Sequence, residues 1–337
     1  MVICRFLPDG TAVVQPRRPI AQLEILHKEN CIIGITGTEA IECADSVSGL
    51  PFVSRDNSKR TNPAKILANA KCVLTVAMLY DKCKSLSRVM RDKIQKAFAV
   101  EGACGTFDLA CLSSLGTCVD YHGRLRKILK EIADYVKVCL GDFSYRILVD
   151  SPTLCERPLA VRAGLGFVGK NGMIITEEYG SFVNIGLLVT DAAIEDLAAT
   201  ISAKFGHTAK INPKPKSCPP KCRICIDACP NSALSESSPL DSSRCISYLT
   251  QKKELTPEEE CLLHGQLYGC DICQDVCPMN NGRTFSHNIS PRAILEASDE
   301  EIRTSFSHTA MNWRLDLLKR NAGIAASSLC KFGDFLR

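Results

Sequence analysis

The chain is poor in aromatic residues and has no long apolar run. Phe, Trp and Tyr together make up 6% of its 337 residues, and only one of them is Trp. Because no stretch reaches about eighteen consecutive apolar residues, the sequence predicts no transmembrane helix. The N-terminus also lacks the long apolar core of a secretory signal peptide. We therefore expect a cytoplasmic protein that has no membrane partner.

Neither sign of charge dominates the sequence. Lys and Arg exceed Asp and Glu only slightly, which gives a formal net charge of +4 at pH 7. So mild a charge neither requires nor excludes a nucleic-acid partner. Hydrophobic residues account for 45% of the chain, which is enough to bury a sizeable core. The length is sufficient for about two domains.

Cysteine, by contrast, is abundant, with 20 residues in the chain. Since the sequence carries no export signal, we expect these thiols to be reduced rather than paired in disulfides. Residues 218–230 read CPPKCRICIDACP and residues 270–278 read CDICQDVCP. Each run ends in Cys-x-x-x-Cys-Pro, close to the ferredoxin run C-x2-C-x2-C-x3-C-P that ligates 4Fe–4S clusters. The pattern predicts a protein that transfers electrons.

The number of ligands sharpens this prediction. Two 4Fe–4S clusters need eight thiolates, and the two runs supply seven. Cys245 and Cys261 lie between the runs, and either can supply the eighth. In ferredoxins the last cysteine of a run ligates the other cluster, which divides the ligands into two sets. The first set is Cys218, Cys222, Cys225 and Cys277; the second is Cys229, Cys270, Cys273 and the eighth thiolate.

Zinc is the alternative metal, because paired Cys-x-x-Cys units also form tetrahedral four-cysteine sites. The two Cys-Pro endings and the ligand count of seven plus one favour iron–sulfur clusters over zinc. Cys218 is the least regular ligand. Three residues separate it from Cys222, where ferredoxins have two.

The rest of the chain predicts a mixed order of strands and helices. Apolar β-rich runs predict strands at 30–36, 72–79, 145–150, 173–176 and 181–190. Apolar residues at helical spacing predict a long amphipathic helix over 120–138, and shorter helices are expected at 64–70 and 154–163. A stretch rich in Lys and Pro, 205–217, reads as a linker. We expect an α/β domain over 1–200, a cluster domain over 201–290 and a helical tail over 291–337.

A glycine-rich turn follows the helix expected over 154–163. Gly164, Gly166 and Gly169 form Gly-x-Gly-x-x-Gly, which binds a dinucleotide pyrophosphate when it follows a strand and opens a helix. Here the turn follows a predicted helix and opens a predicted strand. This order argues against a Rossmann-type nucleotide site.

Several longer motifs resemble the epoxyqueuosine reductase family. The similarity runs in order over roughly residues 30–325. The motifs that carry it are DYH at 120–122, VDSPTLCERPLA at 149–160, RAGLGFVGKN at 162–171, RCISYLT at 244–250 and YGCDICQDVCP at 268–278.

The resemblance implies a cobalamin-dependent reductase whose partner is tRNA. Such enzymes reduce the epoxide of epoxyqueuosine to the alkene at the wobble position of the anticodon. The implied fold is a cobalamin-binding α/β (α+β) domain, distantly like flavin nitroreductases and reductive dehalogenases. A two-cluster bacterial ferredoxin-like domain and a short helical tail follow it. An external donor would supply the electrons, and we expect a monomer.

The resemblance also implies roles for individual residues. It gives Asp150 as the proton donor, Cys245 as the eighth cluster ligand and Lys252 as a position near tRNA. The residues that it places near the cobalamin are Arg60, Cys111, Asp150, Asn171, Ile174, Ile185 and Ser247. A carboxylic acid donates a proton only while it is protonated, so we expect burial beside the cofactor to raise the pKa of Asp150.

Structural roles are the alternative for the same residues. Asp150 can cap the helix that follows it, and Ile174 and Ile185 can be ordinary core residues. Asn171 and Ser247 can satisfy backbone groups. His122 falls in the first turn of the long helix, where we expect it to be structural.

The end of the chain leaves the substrate open. Longer family members carry C-terminal helical repeats that help to hold tRNA, and this chain stops where that array would begin. We therefore expect a short form. Two alternative functions remain: a cobalamin-dependent reductase of another substrate, as in reductive dehalogenation, and a ferredoxin-like electron carrier without tRNA activity.

Overall fold

The computed structural model describes residues 3–6, 12–15, 30–42, 57–81, 110–205, 217–236 and 240–333. The strands in these ranges are β1 (Ile3–Phe6), β2 (Ala12–Gln15), β3 (Cys31–Gly37), β4 (Cys72–Leu79), β5 (Ala110–Leu112), β6 (Tyr145–Val149), β7 (Gly166–Val168), β8 (Ile174–Thr176), β9 (Val183–Thr190), β10 (Gln266–Tyr268) and β11 (His287–Ile289).

The α-helices in these ranges are α1 (Asn57–Thr61), α2 (Ser114–Thr117), α3 (Tyr121–Leu140), α4 (Glu156–Arg162), α5 (Ile194–Phe205), α6 (Ile224–Asp227), α7 (Ile246–Leu249), α8 (Pro257–Cys261), α9 (Ile272–Asp275), α10 (Pro291–Glu296), α11 (Asp299–Ser305) and α12 (Leu315–Gly333). Short 3-10 helices lie at Pro63–Lys65, Pro278–Asn280 and Ala310–Trp313. None of the described helices is both long and apolar enough to span a membrane.

The central sheet has the strand order β3-β4-β9-β6, and all three neighbouring pairs are antiparallel. Its central strand β4, CVLTVAML, is buried along nearly its whole length, because helices cover both faces of the sheet. Successive side chains point to opposite faces. Leu74 and Val76 therefore pack with helices α3 and α5, whereas Val73 and Ala77 pack with α4.

Helix α3 supplies most of the cover on one face of this sheet. The Asp120 carboxylate caps the helix by accepting the backbone N–H of His122, and Gly141, at φ +84°, ends it. The apolar residues recur at helical spacing, and Leu125, Leu129 and Ile132 are fully buried. Each such side chain contributes roughly 1.5–3 kcal/mol of burial free energy.

A second sheet joins the α/β part of the chain to the cluster part. Strand β5 lies between β10 and β11, so Cys111 is opposite both Gln266 and Asn288. The core beneath this sheet comes from β5, β10, β11 and the helices α10 to α12. Residues 110–112 therefore share a core with residues 266–325, although about 150 residues of chain separate them.

Most of the predicted elements are confirmed to within a few residues, including the strands of the central sheet and the long helix. The prediction of a helix over 64–70 is wrong. Only Pro63–Lys65 is helical there, as a 3-10 turn, because Asn69 adopts φ +60° and turns the chain away. The helical tail is confirmed over its described residues, where it consists of three α-helices, α10 to α12, and the 3-10 helix Ala310–Trp313. Most of the expected linker, 206–216, lies outside the described residues.

Among the cysteines whose side chains the structure describes, the thiols follow the sequence prediction with one exception. The eight predicted cluster cysteines are all free, as are Cys31, Cys72, Cys111, Cys118, Cys139 and Cys261. Cys155 is disulfide-bonded, so the expectation of a reduced thiol is wrong at that position.

Packing of β3 against α4 predicts a stability effect. A Cβ at Gly34 would lie 2.1 Å from the carbonyl oxygen of Ala163, so Gly34→Ala should destabilise the protein by roughly 1–3 kcal/mol through overpacking. Gly323, on α12, has nothing within 4 Å of such a Cβ, so Gly323→Ala should stabilise by about 0.5–1 kcal/mol. Urea unfolding followed by circular dichroism measures both. If the two substitutions changed the free energy of unfolding equally, the close packing of Gly34 against Ala163 would be contradicted.

Candidate functional site

The two cysteine runs lie on a matched pair of short helices. Helix α6 carries Cys225 and is followed by Cys229, and helix α9 carries Cys273 and is followed by Cys277. The two helices pack against each other. In each run the x3 step carries the last sulfur past the end of the helix, and the proline that follows prevents the helix from continuing.

The first predicted ligand set comes together in the structure. The pKa of the Cys225 thiol is raised by burial and then by the nearby thiols of Cys277, Cys218 and Cys222. The pKa of Cys277 is raised chiefly by burial, with further increases from Cys218 and Cys222. The irregular ligand Cys218 is therefore a neighbour of the other three, despite its additional residue.

The second set is also gathered, and it includes Cys245. Burial, with a smaller contribution from the nearby Cys245, raises the pKa of Cys270 to about 12. Burial also raises the pKa of Cys273, followed by Cys270 and Cys245, and Cys229 is one of the groups that raise the pKa of Cys245 after burial. Cys261 is exposed on α8 and free, and it raises none of these pKa values.

The donor sets fit iron–sulfur clusters, which take four thiolates each. In the part of the chain that the structure describes, no three Cys, His, Asp or Glu side chains are placed to hold a single metal ion. The two sets also approach each other, since Cys225 is among the neighbours that raise the pKa of Cys273. Two adjacent four-thiolate sets suit a relay of single electrons.

Asp150 lies at the end of β6, in an unusual backbone conformation. Its φ is +50°, in the left-handed region, which few residues other than Gly adopt. Its side chain is 68% exposed. The residue that precedes the next helix, α4, is Cys155, which makes no side-chain cap. The alternative that Asp150 caps this helix is therefore wrong.

Neighbouring groups lower the pKa of Asp150. The His122 Nε2 atom lies 3.5 Å from Asp150 Oδ2. Hydrogen bonding to His122 lowers the pKa of Asp150, and Tyr121 and Arg157 lower it further. The expectation of a raised pKa is wrong in this arrangement. The pKa of Glu156 changes in the opposite direction, since burial and then the charge of Asp150 raise it to about 8.

Arg157 interacts both with Asp150 and with the cysteine set that contains Cys245. Its Nη1 donates a hydrogen bond to the Gly172 carbonyl at 2.7 Å. Desolvation lowers the pKa of Arg157, whereas Glu156, Tyr80, Asp150 and Cys245 raise it. The guanidinium is thus within electrostatic reach of both Asp150 and a cysteine of the second set.

Asn171 offers a hydrogen-bond donor that no described residue accepts. It is 4% exposed, and its Oδ1 accepts the Met173 N–H at 3.1 Å. Its Nδ2 is buried and has no partner within the described ranges. A buried unpaired donor is costly, so the site fits a ligand with amide or carbonyl oxygens, which the periphery of cobalamin carries.

The other predicted cofactor residues lie on several different elements. Arg60 is 4% exposed, with Nη2 3.6 Å from Cys155 Sγ. Ile174 and Ile185 are 2% and 8% exposed and belong to the core beneath α4, as the alternative for them supposed. Ser247 is on α7, directly beside Cys245, and its carbonyl accepts a hydrogen bond from Gln251 Nε2 at 2.8 Å.

Sequence reasoning missed four residues of the site. Glu156 and Arg157 stand in the motif CERPLA but received no role, and His122 was expected to be structural. Gln266 lies opposite Cys111 in the second sheet, and its Oε1 is buried without a partner in the described part of the chain. Only the topology of that sheet could have revealed Gln266.

Lys252 follows α7 and is held in an ion pair. Its Nζ donates to both carboxylate oxygens of Glu259 at 2.7 Å, and its side chain is 33% exposed. The Arg320 guanidinium anchors the same segment by donating to the Lys253 carbonyl at 2.8 Å. The ammonium group of Lys252 is therefore reachable but partly neutralised.

Two family models match the chain. Residues 60–151 match the model described as "Epoxyqueuosine reductase QueG, DUF1730". Residues 218–280 match the model of a 4Fe-4S double cluster binding domain. The second match begins at Cys218 and supports iron–sulfur clusters rather than zinc.

Curated relatives and solved structures agree with these matches. The epoxyqueuosine reductase of Lactococcus garvieae is 32% identical over 275 residues, which cover 78% of this chain and 70% of the relative. That of Bacillus subtilis is 32% identical over 294 residues, or 81% and 67%. The structure of epoxyqueuosine reductase from Streptococcus thermophilus superposes with a TM-score of 0.71 at 26% identity, covering 91% of this chain and 80% of that one.

A further solved structure contains RNA. It is an epoxyqueuosine reductase with a tRNA-Tyr epoxyqueuosine-modified stem loop, with a TM-score of 0.71 at 28% identity, covering 91% of this chain and 80% of that one.

The fold and the two cysteine sets define an oxidoreductase that carries a double 4Fe–4S cluster domain. With 32% identity over about four-fifths of its length, the chain belongs to the epoxyqueuosine reductase family.

The cysteine neighbours predict which thiolate completes the second cluster. Cys245→Ser should lower the iron content of the reconstituted protein from about eight to about four atoms per chain, since one cluster loses a ligand. Cys261→Ser is the matched control and should retain about eight. Iron analysis gives the result, and circular dichroism verifies that both variants are folded. A larger iron loss in the Cys261 variant would contradict the assignment.

Proposed function

We propose that the chain reduces the epoxide of epoxyqueuosine in tRNA to the alkene of queuosine, and that it does so in the cytoplasm, where tRNA is modified. The observation that carries the proposal is the position of Arg157, within electrostatic reach of both Asp150 and Cys245. A proton donor therefore lies beside an electron relay. The relatives named epoxyqueuosine reductase and the neighbour with a modified tRNA stem loop support this substrate.

Each cofactor has a group of residues to hold it. We assign one 4Fe–4S cluster to the set containing Cys218 and the other to the set containing Cys245. Asn171 and Arg60 are proposed to hold cobalamin by hydrogen bonds, together with Cys111, Ile174, Ile185 and Ser247. When bound, cobalamin supplies the two-electron chemistry at carbon, while the protein supplies orientation and protons.

The order of the clusters follows from the charges around Arg157. Because Cys245 lies within electrostatic reach of Arg157, which also reaches Asp150, we assign its cluster as the proximal one and the cluster of Cys218 as the distal one. We propose that an external one-electron donor reduces the distal cluster first. The packing of α6 against α9 keeps the two clusters adjacent, so that electrons pass singly towards the active site.

Asp150 is the proposed proton donor to the departing oxygen. It stands where a strand ends, on exposed backbone that can reach a bound substrate. A related structure from Bacillus subtilis, with a TM-score of 0.68 at 28% identity, shows a catalytic aspartate loop swung out of the active site. A loop of this kind fits the left-handed conformation of Asp150.

Replacement of Asp150 tests the function. We expect the reconstituted protein, with a strong reductant, to convert an epoxyqueuosine-modified stem loop, and Asp150→Asn to lose about 100-fold or more of that rate. The variant should retain its corrin absorbance and its iron. The matched control is Asp142→Asn, whose carboxylate is fully exposed near Lys137, and it should be fully active. Mass spectrometry of the RNA nucleosides measures the conversion.

Other outcomes identify the alternative functions. Cobalamin binding without conversion of the stem loop would indicate a reductase of another substrate. Absence of corrin absorbance, with both clusters present, would indicate an electron carrier. A variant Asp150→Asn that is as active as the wild type would remove Asp150 as the proton donor.

Lys252 is proposed to contact the phosphate backbone of the RNA. Lys252→Ala should weaken stem-loop binding and lower the slope of log affinity against log salt by about one. Glu259→Gln should strengthen binding, because it releases the ammonium group from its ion pair. Lys130→Ala, which removes an ion pair on the exposed side of α3, is the control and should change neither quantity. An unchanged salt slope in Lys252→Ala would contradict the contact.

A further inference from the structure

His122 joins two carboxylates across the edge of the active site. Its Nδ1 lies 2.6 Å from Asp120 Oδ1, and its Nε2 lies 3.5 Å from Asp150 Oδ2. The two nitrogens of the ring therefore face different acids. The side chain is 34% exposed, so the ring has access to solvent as well as to Asp150.

Asp120 fixes the orientation of the ring. Its Oδ1 accepts the His122 backbone N–H at 2.9 Å in addition to facing Nδ1, and its own N–H donates to the His308 carbonyl at 2.8 Å. A carboxylate accepts hydrogen bonds, so Nδ1 must carry a proton. The Tyr121 ring stacks on the imidazole with a centroid distance of 4.2 Å. Nε2 is thereby directed at Asp150.

The proposed reaction needs more protons than one carboxyl group holds. Reduction of an epoxide to an alkene consumes two electrons and two protons, breaks both C–O bonds and releases water. The electrons come from the external donor through the clusters. Asp150 holds one proton at most, so the second must reach it from solvent or through a neighbouring group. His122 is the neighbour that contacts both Asp150 and solvent.

We propose that His122, held by Asp120, is the positioning residue that orients Asp150 and resupplies its proton. The proposal rests on the proposed function. At rest the pair holds one transferable proton, on Nε2 of the His122 imidazolium, beside the Asp150 carboxylate. That proton moves from Nε2 to Asp150 Oδ2 and from Asp150 to the departing oxygen, which leaves a neutral imidazole and a carboxylate. Solvent then reprotonates Nε2, and the cycle repeats for the second proton.

Other titratable groups near the pair are less suitable for this role. Tyr121 contacts Asp150, but burial raises its pKa, which makes it a poor acid. Glu156 makes its contact through the Ser151 backbone N–H, at 3.4 Å from Oε1. Tyr80, Arg157, Tyr268 and Arg314 complete the described charged and titratable surroundings. Arg157 and Tyr268 each lie near Asp150 and a second carboxylate. A guanidinium does not release its proton in proteins, and burial raises the pKa of Tyr268, so neither is a suitable proton source.

The first test measures the imidazole directly. The chain has only six histidines, so His122→Gln identifies the His122 signals in an NMR titration of the protein without substrate. Hydrogen bonding to Asp150 and to Asp120 raises the pKa of His122. Asp150→Asn and Asp120→Asn should each lower that pKa towards about 6.5. An unchanged pKa in both variants would overturn the proposal.

The second test is the pH dependence of stem-loop conversion. In the wild type the rate should fall as pH rises through the raised pKa of His122, because the shared proton is then lost. In His122→Gln, Asp150 titrates alone, so this fall should shift to lower pH by about one unit or more. The rate at neutral pH should drop about tenfold or more. Exposed His287→Gln is the control and should retain the wild-type profile.

The outcomes separate the inference from the function on which it rests. If the wild type does not convert the stem loop, the proposed function fails, and the NMR titration still tests the His122 contacts. If the wild type is active and His122→Gln slows conversion equally at every pH, His122 is only structural and the proposal is wrong. Iron content and corrin absorbance equal to those of the wild type verify that the variant is folded and loaded.

Discussion

The site depends on the docking of the second cysteine run against residues 110–118. Asp271, between two cluster cysteines, is 4% exposed, and it accepts hydrogen bonds from the Ser114 N–H at 2.6 Å and the Ser114 hydroxyl at 2.9 Å. A buried carboxylate is costly unless such donors satisfy it, and burial still raises its pKa to about 6. The helix that carries Cys273 is therefore fixed to the α/β part of the chain, and with it the distance from cluster to acid.

A second buried network supports the same junction. The Asn280 amide donates to Ser181 Oγ at 3.0 Å and to the Gln274 carbonyl at 2.7 Å, while Asn280 Oδ1 accepts the Ser181 N–H at 2.7 Å. Gly180 must be glycine here, since a Cβ would lie 2.0 Å from Asn280 Oδ1. These contacts hold the start of strand β9 against helix α9, which carries Cys273. Networks of this kind specify one relative position of two parts.

Sequence reasoning succeeded where the signal is local. The spacing of the cysteines, the apolar period of α3 and the apolar run of β4 each follow from a few neighbouring residues. Spacing alone does not distinguish Cys245 from Cys261 as the eighth ligand, because long-range packing decides which sulfur faces the cluster. The pairing of Cys111 with Gln266 was unpredictable for the same reason, since β5 is only three residues long and its partners are far away in sequence.

Electrostatics at Asp150 shows why the role of His122 was hidden in the sequence. In the motif DYH the histidine looks like part of a helix start, and Asp120 does cap that helix. The same carboxylate, however, also faces the imidazole, so one residue fixes both the helix and the tautomer. Because the helix start places His122 Nε2 near the end of β6, the proton supply is set by the packing of α3 on the sheet. Arg157, within electrostatic reach of both Asp150 and Cys245, then links the proposed proton path to the proposed electron path.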